Sequence, residues 1–408
     1  MVKLTCMKKN NLFLKLISIV LLLIMTCFCF ACSQEENSNN SSTDEPPIVE
    51  HVHEYSSKLS FDDEKHWFDA TCGHRSEKKD VTLHDMTSDG CSVCDYKYSK
   101  GLEIEITGNY ATVISMGTCN DIMVCIPKEY QGYPVKKIES GAFQNESLME
   151  GVVIPKGITK IEGATFASCY KLATIRLPEG ITEFGTSAFF DNYSLQYIDF
   201  PNSLITFGHG SFYRCSGLKE VIIPNNVTTI GIGSFSGCSG LEKVVLGSSV
   251  TTLKERAFTD CKKLKRVVFN NNALTIGEDA FNQAVSFDEV EVPSISSWCL
   301  NAFQLSVLTC DHLKFFVNNE EIIHLVIPSG VNKINSYAFR KMRNFKSITI
   351  PNTVTQIGEL AFSNCSAVES ITYLGTTSEW QQVTKGISWK AMITKTKVVT
   401  CQDGDVSL

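Results

Sequence analysis

The sequence predicts a solenoid of short parallel strands with a repeat of about 23 residues, preceded by a small Cys/His-rich domain. Two columns of residues carry this repeat: a proline that follows a short apolar run, and a phenylalanine within each copy. The proline column is Pro155, Pro178, Pro201 and Pro224, continued through Gly247 and Asn270 to Pro293, and the phenylalanine column is Phe143, Phe166, Phe189, Phe212, Phe235, Phe258 and Phe281. Because both columns keep one period, each copy is expected to bury its apolar face against its neighbours.

Each copy places a predicted strand directly before its proline, as in Lys243-Val244-Val245-Leu246. Successive side chains of a strand point to opposite faces, so the alternation separates an inward and an outward column. Solenoid curvature would make the outward face a concave surface suited to gripping macromolecules. The candidate partner-binding residues on that face are Arg176, Tyr197, Asp199, Glu220, Ile222, Lys243, Val245, Arg266 and Val268.

The repeat follows the pattern V-x-x-I-G-x-x-A-F-x-x-C-x-x-L-x-x-I-x-I-P, most closely from Phe235 to Leu241. This pattern resembles the BspA-like leucine-rich repeats of bacterial surface proteins. On this resemblance, residues 135–374 form a leucine-rich repeat solenoid, with an N-terminal cap at 101–134 and a C-terminal cap at 375–408. The resemblance implies an adhesin-like cell-surface protein that binds protein ligands, such as host extracellular matrix, or other cells.

The cysteines of the repeat share one position, three residues after the phenylalanine. They are Cys169, Cys215, Cys238, Cys261 and Cys365, and Asn192 takes the same position in another copy. A free cysteine packs as a small apolar residue, so we expect these side chains to be buried.

The first 32 residues are predicted to be an export signal. Lysines precede an unbroken apolar run from Leu16 to Ala31, which at 16 residues is shorter than the roughly 20 that a membrane-spanning helix needs. Small Ala31 before Cys32 resembles a bacterial lipoprotein cleavage box, so Cys32 is the predicted lipidation site and would anchor the protein to a membrane. Ordinary secretion is the alternative. Met7 would be a more typical start than Met1.

Residues 33–50 are polar and poor in apolar side chains, and they are predicted to be a disordered tether. Residues 51–100 form the Cys/His-rich module, whose cysteine and histidine spacing predicts a structural zinc site. The predicted ligands are Cys72, His74, Cys91 and Cys94, with His66 and His84 as alternates. In an exported protein these cysteines could instead form a disulfide or stay unpaired.

Several function classes are excluded or weakened. A net charge of −7 argues against a nucleic-acid binder, and no nucleophile elbow or P-loop indicates an enzyme. The alternative to an adhesin is a structural or glycan-binding envelope lipoprotein, whose glycan contacts would be Trp298, Trp380 or Trp389. An insertion near residues 298–320 breaks the period, either as part of a binding face or as a tolerated loop.

Overall fold

The computed structural model describes residues 97–271, 274–300 and 313–408, and the backbone of five short strands between residues 55 and 91. These belong to one compact unit, His53–Leu408. The five early strands pair in antiparallel fashion: β1 (Tyr55–Phe61), β2 (Lys65–Ala70) and β3 (Lys78–Leu83) form one sheet, and β4 (Met86–Thr87) and β5 (Gly90–Cys91) another.

The described part of the solenoid begins with a sheet of mixed direction. Its strands, in spatial order, are β6 (Glu103–Thr107), β7 (Tyr110–Ser115), β10 (Tyr133–Ile138) and β9 (Glu129–Tyr130). β6 and β9 are antiparallel to their neighbours, whereas β7 and β10 are parallel. The change from antiparallel to parallel pairing marks the start of the repeat.

The predicted strands before the prolines form the first wall of the solenoid, which consists of three sheets. The first sheet contains β8 (Met123–Cys125), β11 (Gly151–Val153) and β13 (Thr174–Arg176). The second contains β16 (Glu220–Ile222), β18 (Lys243–Leu246), β20 (Arg266–Phe269), β22 (Glu289–Val292), β23 (Lys314–Val317) and β24 (Glu320–Glu321). The third contains β25 (His324–Val326), β27 (Ser347–Ile350), β29 (Ser370–Tyr373), β31 (Val398–Cys401) and β32 (Gly404–Ser407).

The two-residue parallel strands that follow the proline column in the sequence form a second wall. One sheet contains β12 (Lys160–Ile161), β14 (Glu183–Phe184), β15 (Thr206–Phe207), β17 (Thr229–Ile230), β19 (Thr252–Leu253) and β21 (Thr275–Ile276). The other contains β26 (Lys333–Ile334), β28 (Gln356–Ile357) and β30 (Thr384–Lys385). Parallel partners such as Thr252 and Thr275 are 23 residues apart, so the predicted parallel-strand solenoid and its period are confirmed.

The repeat phenylalanines form a continuous stack in the core. From Phe143 to Phe281, successive ring centres lie 4.8 to 5.5 Å apart and the rings are nearly parallel. Phe339 and Phe362 continue the stack in the last turns, and Trp389 packs edge-on against Phe362. Residues two before and two after a repeat phenylalanine adopt positive φ, as at Gly233 (φ 58°) and Gly237 (φ 74°), which bends the chain into the turn around each ring.

One predicted strand of the first wall does not form. The segment around Tyr197 carries no strand assignment, and the first sheet ends at β13 before the second begins at β16. This break coincides with the bulkiest section of the core, where Phe200 packs against Phe184, Phe207 and Phe212 with ring centres 5.1 to 5.8 Å apart. Extra ring volume between two turns is a reason for their strands to separate here.

The insertion predicted near residues 298–320 contributes regular structure on both sides of residues 301–312, which lie outside the described residues. Before them, helix α1 (Ile295–Leu300) lies between β22 and β23 along the chain and contacts β26. After them, β23 adds a parallel strand to the first wall and turns back as the antiparallel β24. Both walls are therefore interrupted at this junction.

The last described turn is closed by a helix and a hairpin. Helix α2 (Thr377–Gln382) begins with a capping box, in which Thr376 and Glu379 each bind the other's backbone N–H. Its buried Trp380 packs against Tyr373 and Trp389, and β32 turns back antiparallel onto β31. This arrangement covers apolar side chains that would otherwise be open at the end of the stack.

Candidate functional site

The outer face of the first wall carries an apolar stripe in its middle turns. Ile222 and Val245 lie side by side in the parallel register of β16 and β18. Ile222 is 59% exposed and Val245 is partly exposed. An exposed apolar pair on a flat sheet, with polar neighbours, is the kind of surface that contacts partners.

Val268, predicted to extend this stripe, is buried with 9% exposure, so its prediction as an outward surface residue was wrong. Its neighbour in register, Glu291, is also buried. The Arg266 guanidinium donates to Glu291 at 2.7 Å, and the Asn319 backbone N–H donates to the same carboxylate at 2.9 Å. The turn between β23 and β24 is thus fastened over this end of the face.

The charged side chains beside the stripe largely neutralise one another. Lys243 Nζ lies 2.9 Å from Glu220 Oε1. Arg266 forms ion pairs with Glu289 and Glu291. The Lys243–Glu220 pair is partly exposed, and an ion pair of this kind contributes at most about 1 kcal/mol. The structure therefore assigns the predicted charged residues to pairs within the sheet.

The three remaining predicted contact residues lie at the break in the first wall. Arg176 ends β13 and is half-buried, as is Tyr197, whereas Asp199 is exposed. Neither Tyr197 nor Asp199 lies on a strand, so these residues are not part of the continuous sheet that carries Ile222 and Val245.

The repeat cysteines are buried, as predicted, and each thiol donates to the carbonyl oxygen of a phenylalanine 26 residues earlier. The Sγ···O distances run from 3.0 to 3.3 Å, for Cys169, Cys215, Cys238, Cys261 and Cys365 with Phe143, Phe189, Phe212, Phe235 and Phe339. Asn192 fills the same position with its amide, which donates to Phe166 O at 2.8 Å and Phe189 O at 2.9 Å. This column is a ladder that satisfies buried carbonyls between turns.

Burial also makes these thiols hard to ionise. It raises the pKa of Cys169 and of Cys215 from 9.0 to about 12, and raises the pKa of Cys238 well above 9.0. Because the thiolate is the reactive form of cysteine, we expect the repeat cysteines to be unreactive towards thiol reagents in the folded protein.

We expect the protein to lose stability at alkaline pH because the repeat cysteines are buried as neutral thiols. In the unfolded chain the thiols ionise near pH 9. The contribution of the buried, neutral thiols to the free energy of unfolding is therefore fully present below pH 9, and it is lost as the pH rises from about 9 through about 12. Urea midpoints at pH 8, 9 and 10 measure the loss. Cys238→Ser, which keeps a hydroxyl donor without titrating in this range, should fall less steeply. Equal slopes for the two proteins would contradict the assignment.

A second exposed surface, not anticipated from the sequence, lies on the turns after the repeat phenylalanines. Tyr170 and Tyr193 stack with ring centres 5.4 Å apart, and Phe190 and Tyr213 stack at 5.5 Å. The three tyrosines are 37 to 44% exposed. The signal was present in the sequence, because other copies carry Ser or Lys at the positions of Tyr170 and Tyr193. We name Tyr170, Phe190, Tyr193 and Tyr213 the aromatic ladder.

The second wall carries an open groove of about 400 Å³. Thr206, Thr229 and His209 line it, with Glu183 towards one end and Lys254 towards the other. Gly208 lies beneath them, where a Cβ would approach the backbone of Gly185 within 2.5 Å. The glycine therefore serves the close stacking of two turns.

The tryptophans predicted as glycan contacts are in the core. Trp298, Trp380 and Trp389 are buried and pack against other aromatic rings. They cannot stack on a sugar from these positions, so that prediction was wrong. His324, at the start of β25, is exposed and shares a hydrogen bond of 2.8 Å with Ser347.

The predicted lipidation and zinc sites fall on parts of the chain whose side chains are not described. They are Cys32 and the set Cys72, His74, Cys91, Cys94, His66 and His84. Within residues 97–271, 274–300 and 313–408, no three His, Cys, Asp or Glu side chains converge as metal ligands. Over the same ranges, neither helix has the length and apolar character to cross a bilayer.

Comparison with protein families assigns the repeat. The model described as "BspA type Leucine rich repeat region (6 copies)" matches residues 136–265, 190–310 and 312–384, which together cover more than half of the chain. The chain belongs to this BspA-type leucine-rich repeat family. Repeats of this family are protein-interaction scaffolds and are typically non-enzymatic.

Solved structures include similar repeat proteins, while no curated protein matches. A leucine-rich cell surface protein of Faecalibacterium prausnitzii is 24% identical over 71% of this chain and 97% of its own, with a TM-score of 0.43. A leucine-rich repeat protein of T. pallidum is 30% identical over 44% of this chain and 85% of its own, with a TM-score of 0.42. One from Bacteroides ovatus is 19% identical over 75% and 99%, with a TM-score of 0.34.

Proposed function

We propose that this BspA-type protein is exported, anchored through lipid on Cys32, and acts as an adhesin-like surface protein that binds protein partners. The observation that carries the proposal is the exposed pair Ile222 and Val245 on a continuous parallel sheet. An apolar centre with a polar surround matches the anatomy of protein interfaces. The Glu220–Lys243 pair supplies part of that surround.

Partner classes follow from the chemistry of this face. Its apolar centre suits a protein surface with exposed aliphatic side chains, such as an extracellular-matrix protein or an envelope protein of another cell. Because the nearby charges are paired within the sheet, we expect binding to depend weakly on salt. A nucleic acid would require unpaired cations in this region, and the protein carries a net charge of −7. No catalytic role is included in the proposal.

The test is capture by the full chain immobilised on beads, offered purified extracellular-matrix proteins and envelope extracts. We expect Ile222→Lys and Val245→Lys each to reduce capture about tenfold, because a buried charge at an interface centre is costly. Ile387→Lys is the matched control, since Ile387 is 78% exposed in the last turns. Capture by the sheet-face variants at the level of the parent protein, or absence of capture, would contradict the proposal and favour a structural role.

A further inference from the structure

The aromatic ladder belongs to a longer surface column that continues along the solenoid. The position four residues after the repeat phenylalanine is occupied in successive turns by Tyr170, Tyr193, Ser216, Ser239 and Lys262. The stacked tyrosines show that neighbouring members of this column lie in adjacent turns, 5.4 Å apart between ring centres. These five turns, which lie between Ser147 and Val285 of the flanking turns, thus run from aromatic through small polar to basic side chains. Tyr170 and Lys262 are called the aromatic end and the basic end of this part of the column.

Close packing of the turns keeps the middle of this column flat. A Cβ on Gly217 would meet the Tyr193 carbonyl oxygen, and one on Gly240 would meet the carbonyl oxygen of Ser216. These two glycines follow Ser216 and Ser239 directly in the sequence. Between the tyrosines and Lys262, the column itself therefore presents only the two serine side chains.

Exposed lysines lie at both ends of this part of the column, with Lys171 at the aromatic end and a pair at the other end. Lys262 and its neighbour Lys263 are exposed, and neither is in an ion pair within the described ranges of the chain. At the aromatic end, Asp191 is buried and lies 3.3 Å from Arg214, so its charge is compensated. Asp260 is the exposed acidic residue closest in sequence to the two lysines. In a protein of net charge −7, this leaves a basic end that favours an acidic ligand.

The ring geometry favours a peptide over a sugar. Tyr170 covers one face of Tyr193, and the Arg214 guanidinium lies 5.8 Å from the centre of the Tyr193 ring. The Tyr193 ring therefore offers its edge and hydroxyl group to solvent, whereas a sugar would need an open ring face. Tyrosine and arginine are also the residues that most often dominate protein interfaces.

We propose that this column binds an extended acidic peptide, with apolar side chains on the aromatic ladder and carboxylates at Lys262 and Lys263. From Tyr170 to Lys262 the column rises four turns, which at about 4.8 Å per turn is about 19 Å, the length of roughly six extended residues at about 3.3 Å each. This surface is separate from Ile222 and Val245, so it does not depend on the sheet face acting as a binding site.

The test selects peptides from a random twelve-residue phage library on the immobilised full chain and measures the synthetic winners by fluorescence anisotropy. Tyr170→Ser/Tyr193→Ser introduces the residue found at Ser216 and Ser239, so it is compatible with the fold. We expect acidic peptides whose affinity falls at least about tenfold in this variant, as for interface hot spots. Lys262→Ser/Lys263→Ser should weaken binding severalfold and reduce its dependence on salt.

Two controls distinguish binding at this column from binding at the sheet face and from misfolding of a variant. Ile222→Lys should leave peptide affinity unchanged, whereas it should reduce capture through the sheet face. Circular dichroism confirms that each variant is folded. The proposal is overturned if no peptide is selected, if the winners bind both double variants normally, or if the winners lack acidic residues. It is also overturned if an acidic polysaccharide, polygalacturonate, binds through these residues and no peptide does.

Discussion

Trp298→Ala should lower the free energy of unfolding by about 3–5 kcal/mol, the usual cost of removing a buried tryptophan. Trp298 is 1% exposed and projects from α1 at the junction where both walls of the solenoid are interrupted. Its ring centre lies 6.0 Å from that of Phe269 and 5.5 Å from that of Phe315, which lie on either side of residues 301–312. Its indole N–H donates to the Ala338 carbonyl at 2.6 Å. One side chain thus connects the turns before the junction to those after it.

The same substitution should change the form of the unfolding transition. Solenoid stability is approximately a sum of repeat and neighbour-interface contributions, so weakening one interface uncouples the turns on its two sides. We expect Trp298→Ala to unfold in two urea transitions, with Trp380 and Trp389 reporting the C-terminal turns by fluorescence. Trp298→Phe, which keeps an apolar ring and loses the N–H, should cost less. A single transition with the parent midpoint would show that the junction is held elsewhere.

Asn192→Ala should lower the free energy of unfolding by about 1–3 kcal/mol. Asn192 is fully buried, and its amide donates to the carbonyl oxygens of Phe166 and Phe189. Alanine would leave Phe166 O without its side-chain donor, at a cost of about 1–3 kcal/mol less any rearrangement. Phe189 O would still accept from the Cys215 thiol. The midpoint of urea unfolding, followed by circular dichroism, measures the effect.

Asn192→Cys is the matched comparison because cysteine occupies this position in the neighbouring turns. The thiol can donate to Phe166 O as Cys169 and Cys215 donate to their phenylalanine carbonyls. The substitution also removes the buried Oδ1 of Asn192, which has no hydrogen-bond partner in the described part of the chain. We expect stability within about 1 kcal/mol of the parent protein. If Asn192→Cys lowers the free energy of unfolding as much as Asn192→Ala does, this position does not require a hydrogen-bond donor to the buried carbonyl.

The repeat unit could be predicted because its sequence pattern recurs in every turn of the solenoid. Each inward position recurs every 23 residues, so the phenylalanine stack and the buried cysteines appear as columns in the sequence. A strand of the first wall pairs with the equivalent segment of the next copy, as Val244 does with Val267. The period therefore specifies strand pairing as well as burial, and the predicted leucine-rich repeat solenoid is confirmed.

The exposed surface was less predictable, because exposure at one position depends on neighbours that differ from copy to copy. Val268 and Val245 occupy equivalent outward positions, yet Val268 is buried beside the Arg266–Glu291–Asn319 contacts at the insertion. Trp298 and Trp380 lie outside the regular pattern, and only their packing against other rings places them in the core. The pairing of Lys243 with Glu220 likewise depends on side-chain conformation.

The repeat, its core columns and the burial of the cysteines follow from the amino-acid pattern alone. Which outward residues remain exposed depends on how the turns pack, and this packing brings Tyr170, Tyr193, Phe190 and Tyr213 together as one surface. The difference arises because inward positions are constrained identically in every turn by the need to exclude water from one continuous core. Outward positions carry no such common constraint, so their environment depends on the particular side chains and insertions of adjacent turns.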